Sequence, residues 1–161
     1  DKIFIKNSKF EKIKKIELNY LESQDNIIRV IKGTNFNYFS VEAQNNLFNQ
    51  VFSVTKLVDR MGIRLSGRKL ENIVSTNIKS EGLVRGTIQV PADGDPIIML
   101  SDHGTIGGYP KIGVVISADL DRVGQLIPGS NIDFKEVSLE EAENIFKAYT
   151  EDTNRYLNEC N

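Results

Sequence analysis

The sequence predicts a mainly β domain with a few helices, its strands closing into a barrel that helical segments cap. Three observations carry this prediction. Short stretches that alternate apolar and polar residues recur along the chain, with turn-forming residues between them. Only two or three segments keep a helical period, the clearest at the C-terminal end. At 161 residues the chain is long enough to bury one self-sufficient core.

Taken in order, "KIFIK" (2–6) and "KKIEL" (14–18) alternate as half-buried strands do, and "NIIRVIKG" (26–33) reads as a more buried strand closed by Gly33. Ser40 is a candidate N-cap for a helix over 40–50, with Val41, Leu47 and Phe48 forming its apolar stripe. "VFSVT" (51–55) and "IRLSG" (63–67) are short strands, and the polar run from Arg68 to Gly82 is a long connection. "LVRGTIQVP" (83–91) is a strand stopped by proline, followed by the turn "ADGDP". "PIIMLS" and "KIGVVIS" are strands around a long loop, "ADLDRVGQL" is a helical turn, and "NIDFKEV" (131–137) alternates again. Ser138 with Glu141 forms a capping box that opens an amphipathic helix over 139–157, with Leu139, Ala142, Ile145, Phe146, Tyr149, Tyr156 and Leu157 on its stripe.

Composition narrows the function. A net charge of -2 argues against general affinity for nucleic acid or anionic membrane, since both need a basic excess. No segment approaches the ~18 apolar residues of a membrane span, and the N-terminal stretch lacks the apolar core of a signal peptide. The lone Cys160 precludes an internal disulfide and fits a reducing cytoplasm. One histidine and one distant cysteine do not build an ordinary zinc site. Walker-A, GxGxxG, G-x-S-x-G and Met-Lys-Met patterns are all missing, so ATP or biotin chemistry would have to come from a partner.

The loop "SDHGTIGGYPKIG" (101–113) is the main candidate site. A hairpin needs about two to five residues, yet this connection is far longer. Gly107 and Gly108 permit positive φ and close approach, so their amides are candidates for an anion nest. Tyr109 precedes a proline, which confines its backbone to extended conformations. Asp102 is placed to tune His103, and Lys111 adds a mobile charge. The alternative is a surface connection whose glycines only let the chain turn. Arg60 and Arg64 are a second candidate, a clamp for carboxylate or phosphate if they share a strand face, or two solvated arginines if they do not. Arg85, Thr87 and Gln89 alternate onto one face, either lining a barrel mouth or forming its wet exterior.

"RVIKG", "NYF", "DRMGIRLSG", "SEGLVRGTIQVPADGDPIIMLSDHGTIGGYPKIGVVISADL", "GQLIPGS" and "VSLEEA", in this order, resemble the carboxyltransferase subdomain C/D family over about residues 29–145. That family includes allophanate hydrolase subunit 2, the C subunit of 5-oxoprolinase, the carboxyltransferase part of urea carboxylase, and an antagonist of a sporulation kinase inhibitor. The resemblance implies a cyclophilin-like β-barrel over 29–161, the C-terminal half of a longer unit, with 1–28 as N-terminal strands left from a preceding subdomain. The family loop reads D-[RH]-Q-T-T-G-G-Y-P. Asp102, His103, Thr105, Gly107, Gly108, Tyr109 and Pro110 match it, while Gly104 and Ile106 replace a glutamine and a threonine.

By this resemblance, the chain is a subunit or fragment of a 5-oxoprolinase or urea-amidolyase type enzyme. It would open a cyclic amide with ATP, or transfer a carboxyl group to a urea-like nitrogen. Its partner would be of the allophanate hydrolase subunit 1 type, equivalent to the B subunit of 5-oxoprolinase. The implied roles are oxyanion donation by Thr105 and the Gly107–Gly108 amides, and proton or charge partnership by His103 and Lys111. Arg60, Arg64, Gln89, Asp102 and Tyr109 would bind substrate. The competing expectation is a regulatory module that sequesters a partner protein and catalyses nothing. Prolyl isomerisation would follow from fold analogy alone, and no residue supports it.

Overall fold

A computed structural model describes residues 26–159. The strands expected at 2–6 and 14–18, and with them most of the 1–28 segment, lie outside the described residues. Nine strands follow among the described residues: β1 (Ile27–Lys32), β2 (Val51–Val58), β3 (Gly62–Ser66), β4 (Glu81–Gly82), β5 (Thr87–Gln89), β6 (Ile97–Met99), β7 (Ile106–Gly107), β8 (Lys111–Val115) and β9 (Asn131–Glu136). Seven close a barrel in the order β1-β8-β5-β6-β3-β2-β9, as predicted, and β4 with β7 forms a separate two-stranded ribbon. The seam between β1 and β9 is parallel, from Ile27↔Asp133 to Val30↔Glu136, and the other barrel pairings are antiparallel. Closure leaves no unpaired barrel edge.

The period-2 pattern explains the closure. Cross-strand partners run round the inner wall as Val115↔Val30, Ile28↔Phe134, Ile132↔Phe52, Val54↔Leu65, Ile63↔Ile98 and Ile98↔Ile88. All are buried in one apolar cluster. Phe52 and Phe134 tilt against each other with centroids 5.5 Å apart. The circuit ends at Ile88↔Gly113. A Cβ on Gly113 would lie 2.6 Å from Val30 Cγ1, so only glycine fits there.

Among the described residues, three helices cap this barrel. In α1 (Val41–Asn49) the Ser40 hydroxyl accepts from the Ala43 amide at 3.1 Å, as its position predicts. The buried stripe is Ala43 and Leu47, with Phe48 partly covered; Val41 is 74% exposed and does not share it. After a 3-10 turn at Ser117–Asp119 comes the short α2 (Leu120–Val123). Asp119, fully buried there, accepts from the Arg29 amide and guanidinium and so pins the turn to β1. The capping box of α3 (Leu139–Glu159) forms in both directions, Ser138 N to Glu141 Oε2 at 2.7 Å and Glu141 N to Ser138 Oγ at 3.1 Å. Among the described side chains, Ala142, Ile145 and Tyr149 of the predicted stripe pack, against Ile31, Ile116, Ala118 and Val137, and Leu139 and Phe146 remain exposed; the side chains of Tyr156 and Leu157 lie outside those described.

One strand is shorter than expected. Of residues 83–91 only Thr87–Gln89 are extended, because Gly86 takes φ +86° and the Thr87 hydroxyl accepts from the Val84 amide, making a turn of 84–87. Among the described residues, no helix is long and apolar enough to cross a membrane.

Candidate functional site

The path of the 100–110 loop accounts for its length. It first follows the β2–β3 hairpin, with Leu100 N on Met61 O at 2.9 Å and Asp102 N on Arg60 O at 3.0 Å. Asp102 turns to Arg60, whose Nε stands 2.8 Å from Oδ2. The aspartate therefore orients the arginine rather than the neighbouring imidazole, and His103 Nδ1 lies 2.6 Å from the Gly104 carbonyl. From Thr105 onward the chain runs as a ribbon. Leu83 N donates to Thr105 O, Ile78 N to Gly108 O, and β7 pairs with β4 as Glu81↔Gly107 and Gly82↔Ile106. Val90 N on Pro110 O then leads into β8.

Beneath the ribbon lies a polar outer wall. Gln89 and Lys111 are register partners on β5 and β8, and both are buried, as is Asn35. Gln89 Nε2 donates to Tyr109 O at 3.0 Å, holding the loop side of the ribbon. Lys111 Nζ reaches Glu81 Oε2 at 2.5 Å and Gly82 O at 3.3 Å, holding the β4 side. Its backbone is locked to Asn35, whose Oδ1 accepts from Lys111 N and whose amide donates to Lys111 O. The Lys111 hydrogen bond holds the Glu81 carboxyl below its usual range; desolvation opposes this, and the ammonium charge and Asn35 reinforce it. A buried ammonium needs such partners, because desolvating an unpaired charge costs several kcal/mol.

The glycines serve a different purpose from the one expected. Neither Gly107 nor Gly108 has positive φ; among the described residues that conformation belongs to Gly86, Gly94 and Gly129. Gly107 is the ladder partner of Glu81, so its backbone is part of the ribbon and not of an open nest. A Cβ there would meet Gln89 Nε2 at 2.7 Å and Leu83 Cδ1 at 2.8 Å, and one on Gly108 would meet Ile78 O at 3.3 Å. These glycines let the ribbon lie directly on the barrel wall.

The structure thus brings together Gln89, Gly107, Gly108, Tyr109 and Lys111, with Thr105 and the half-exposed Tyr109 phenol at the rim. Arg60, Asp102 and His103 stand at the start of the loop. Arg64 lies apart, paired with Asp93 and 3.9 Å from Asp95 in the "ADGDP" turn. It borders a separate cleft of about 480 Å³ beside Leu57, Met61, Ile97 and Met99. Thr87 and Gln89 share a face as predicted, but it is a covered face, and Arg85 instead approaches Asp121 and Leu120 O at the surface. One contributor, Asn35 in "GTNFNYF", had little sequence signal, whereas Glu81 opens the "EGLVRGTIQVP" stretch that also offers Arg85 and Gln89. Among the described residues, no group of three or more His, Cys, Asp or Glu side chains could hold a metal ion.

Comparison with known proteins places this architecture. The chain is 36% identical over 117 residues to the C subunit of 5-oxoprolinase from Escherichia coli (strain K12), covering 73% of this chain and 38% of that protein. It is 38% identical over 116 residues to the Haemophilus influenzae protein of the same description, covering 72% and 38%. The chain therefore spans about two fifths of the length of these curated relatives. The crystal structure of the K. lactis urea amidolyase superposes with a TM-score of 0.77 at 26% identity, over 83% of this chain and 9% of that one. Residues 2–136 match the family model described as carboxyltransferase domain, subdomain A and B, in place of the C/D label expected from the motifs. The chain belongs to the carboxyltransferase domain family of subdomains A and B.

Proposed function

We propose that this chain is a module of a 5-oxoprolinase or urea-amidolyase type enzyme that acts on a small cyclic amide or a urea-like substrate. It works in the cytoplasm with a partner like the B subunit of 5-oxoprolinase or allophanate hydrolase subunit 1, and corresponds to the C-terminal portion of a longer polypeptide. The observation that carries this reading is the Lys111 ammonium, buried under a ribbon built from the "GGYPK" segment and lying inside the region that matches the family.

Opening an amide, or attacking a carbonyl with its nitrogen, develops negative charge on oxygen. Fixed donors facing that oxygen lower the barrier, and losing one typically costs about 3–4 kcal/mol. Lys111 supplies charge, the Thr105 hydroxyl at the rim supplies a donor, and the Tyr109 phenol positions substrate. Gln89 fixes the Tyr109 main chain, the Arg60–Asp102 pair sets the start of the loop, and Gly107 and Gly108 admit the close approach. His103 is the proton partner, and Arg64 belongs to a substrate path along the outer wall. The sequence carries no Walker-A or Met-Lys-Met pattern, which supports placing nucleotide and biotin on another chain or domain. Nucleotide or biotin chemistry is therefore assigned to the partner, and no step here runs through it.

The test is co-purification with the partner followed by an assay of ATP-dependent 5-oxoproline loss. Lys111→Met and Thr105→Ala are each expected to reduce kcat by about 100-fold or more, and Tyr109→Phe to raise KM. Full activity in all three variants would refute the site. A second reading, a regulatory module without turnover, draws on Ile106, 64% exposed opposite Gly82 where a threonine is expected. Tight binding of the partner without turnover under any condition would favour it.

A further inference from the structure

We infer that Glu81 is a built-in, displaceable carboxylate, and that Lys111 beneath it is a binding point for the carboxylate of a small-molecule ligand, with the β4–β7 ribbon as its cover. This rests on the functional reading above for its location and goes beyond it in naming the ligand group and the gate.

Four features of the geometry point this way. The pair is asymmetric, for the Lys111 side chain is 11% exposed and the Glu81 side chain 41%. The cation is sheltered while its partner stands at the water's edge, where another anion can replace it. Second, both hydrogen bonds to Asn35 hold the Lys111 main chain, so its Cα stays in place when Glu81 swings out and Asn35 gives up its own bond to that carboxyl. Third, the cover is lightly built. Two register pairs and the Leu83–Thr105 and Ile78–Gly108 bonds join its two arms, and Gln89 Nε2 to Tyr109 O and Lys111 Nζ to Gly82 O tie it to the wall, so opening it leaves the barrel ladder intact. Fourth, the cover lies at the surface, since Gly82 is exposed and a Cβ on it would meet nothing within 4 Å.

A carboxylate suits the vacated position because Glu81 already shows that Lys111 Nζ binds one at 2.5 Å. In the resting protein the site is occupied by its own residue, so a ligand's apparent affinity is lowered by the fraction of time Glu81 is away.

Titration calorimetry on the chain alone tests this, with acetate and 5-oxoproline as carboxylate probes and 2-pyrrolidinone as the same ring without the carboxylate. Glu81→Gln is expected to tighten both carboxylates by about tenfold and to leave 2-pyrrolidinone unchanged, while Lys111→Met abolishes the gain. In the unmodified chain, saturating acetate should shift the amide resonances of Gly82 and Gly107 and leave those of Ile63 and Ile98 still, a readout that needs no variant to fold. Equal carboxylate affinity with and without the Glu81 charge, affinity that survives Lys111→Met, or acetate shifts confined to other residues would overturn the proposal. Turnover is not read, so absence of enzymatic activity in the complex would refute the functional reading while leaving this result standing.

Discussion

The inner and outer walls of the same barrel strands follow opposite rules. Inside, Ile28, Val30, Phe52, Ile63, Leu65, Ile98 and Phe134 form one continuous apolar circuit in which every strand meets its neighbour. Outside, at β5 and β8, the buried residues are Thr87, Gln89 and Lys111, and their cover is a ribbon of two-residue strands. The inner wall stabilises through area removed from water, which is non-directional and tolerant of which apolar residue is used. The outer wall depends on a few directed bonds, Gln89 to Tyr109 O and Lys111 to Glu81, whose loss leaves buried polar groups unsatisfied. One region specifies the fold, and the other holds polar groups, a lysine among them, in a place where water has limited entry.

The largest expected effect breaks the inner wall. Phe52→Ala removes a fully buried ring packed on Phe134 and should cost about 3–5 kcal/mol in chemical denaturation, with the ribbon lost together with the barrel. Gly107→Ala sharpens the contrast by attacking only the cover. The new methyl group would strike Gln89 and Leu83, costing about 1–3 kcal/mol, and hydrogen exchange should speed at Leu83 and Ile78 but not at Ile63. Ser138→Ala removes one arm of the α3 capping box, far from both walls, for about 1 kcal/mol, and should leave ribbon exchange unchanged.

The smallest effect is acid release of the ribbon. Glu81 has a folded-state pKa below its unfolded value, so its contribution is fully present above the ordinary carboxylate range and is lost as pH falls through the depressed value. Protection at Leu83, corrected for intrinsic exchange, should fall below about pH 4.3 while barrel amides stay protected. A ribbon that opens at the same pH as the barrel would erase the distinction between the two regions.

Short-range patterns made much of this fold legible. The barrel strands show as alternation, α1 and α3 show as Ser40 and Ser138 caps, and the "GTIGGYP" stretch stands out by its glycines and the length of its loop. The reason for those glycines was not legible. Positive φ is a local property that a sequence suggests, but close approach to Gln89 depends on a strand that ends some twenty residues earlier. The Val41 and Leu139 errors share one cause, since helical spacing gives a stripe but not how much of it the neighbouring sheet reaches.

By itself, the sequence determined where the barrel strands lie to within a few residues, where α1 and α3 start, that a long glycine-bearing loop separates β6 from β8, and a resemblance to carboxyltransferase domains. Local sterics and hydrophobic period act over a few residues and need no partner. Only the tertiary structure decided that Gly107 and Gly108 press a ribbon onto the outer wall, that Glu81 meets Lys111, that Asn35 holds that lysine's backbone, and that Arg64 turns away to Asp93. Those pairings join residues far apart in the chain, and barrel closure selects them through the register it imposes.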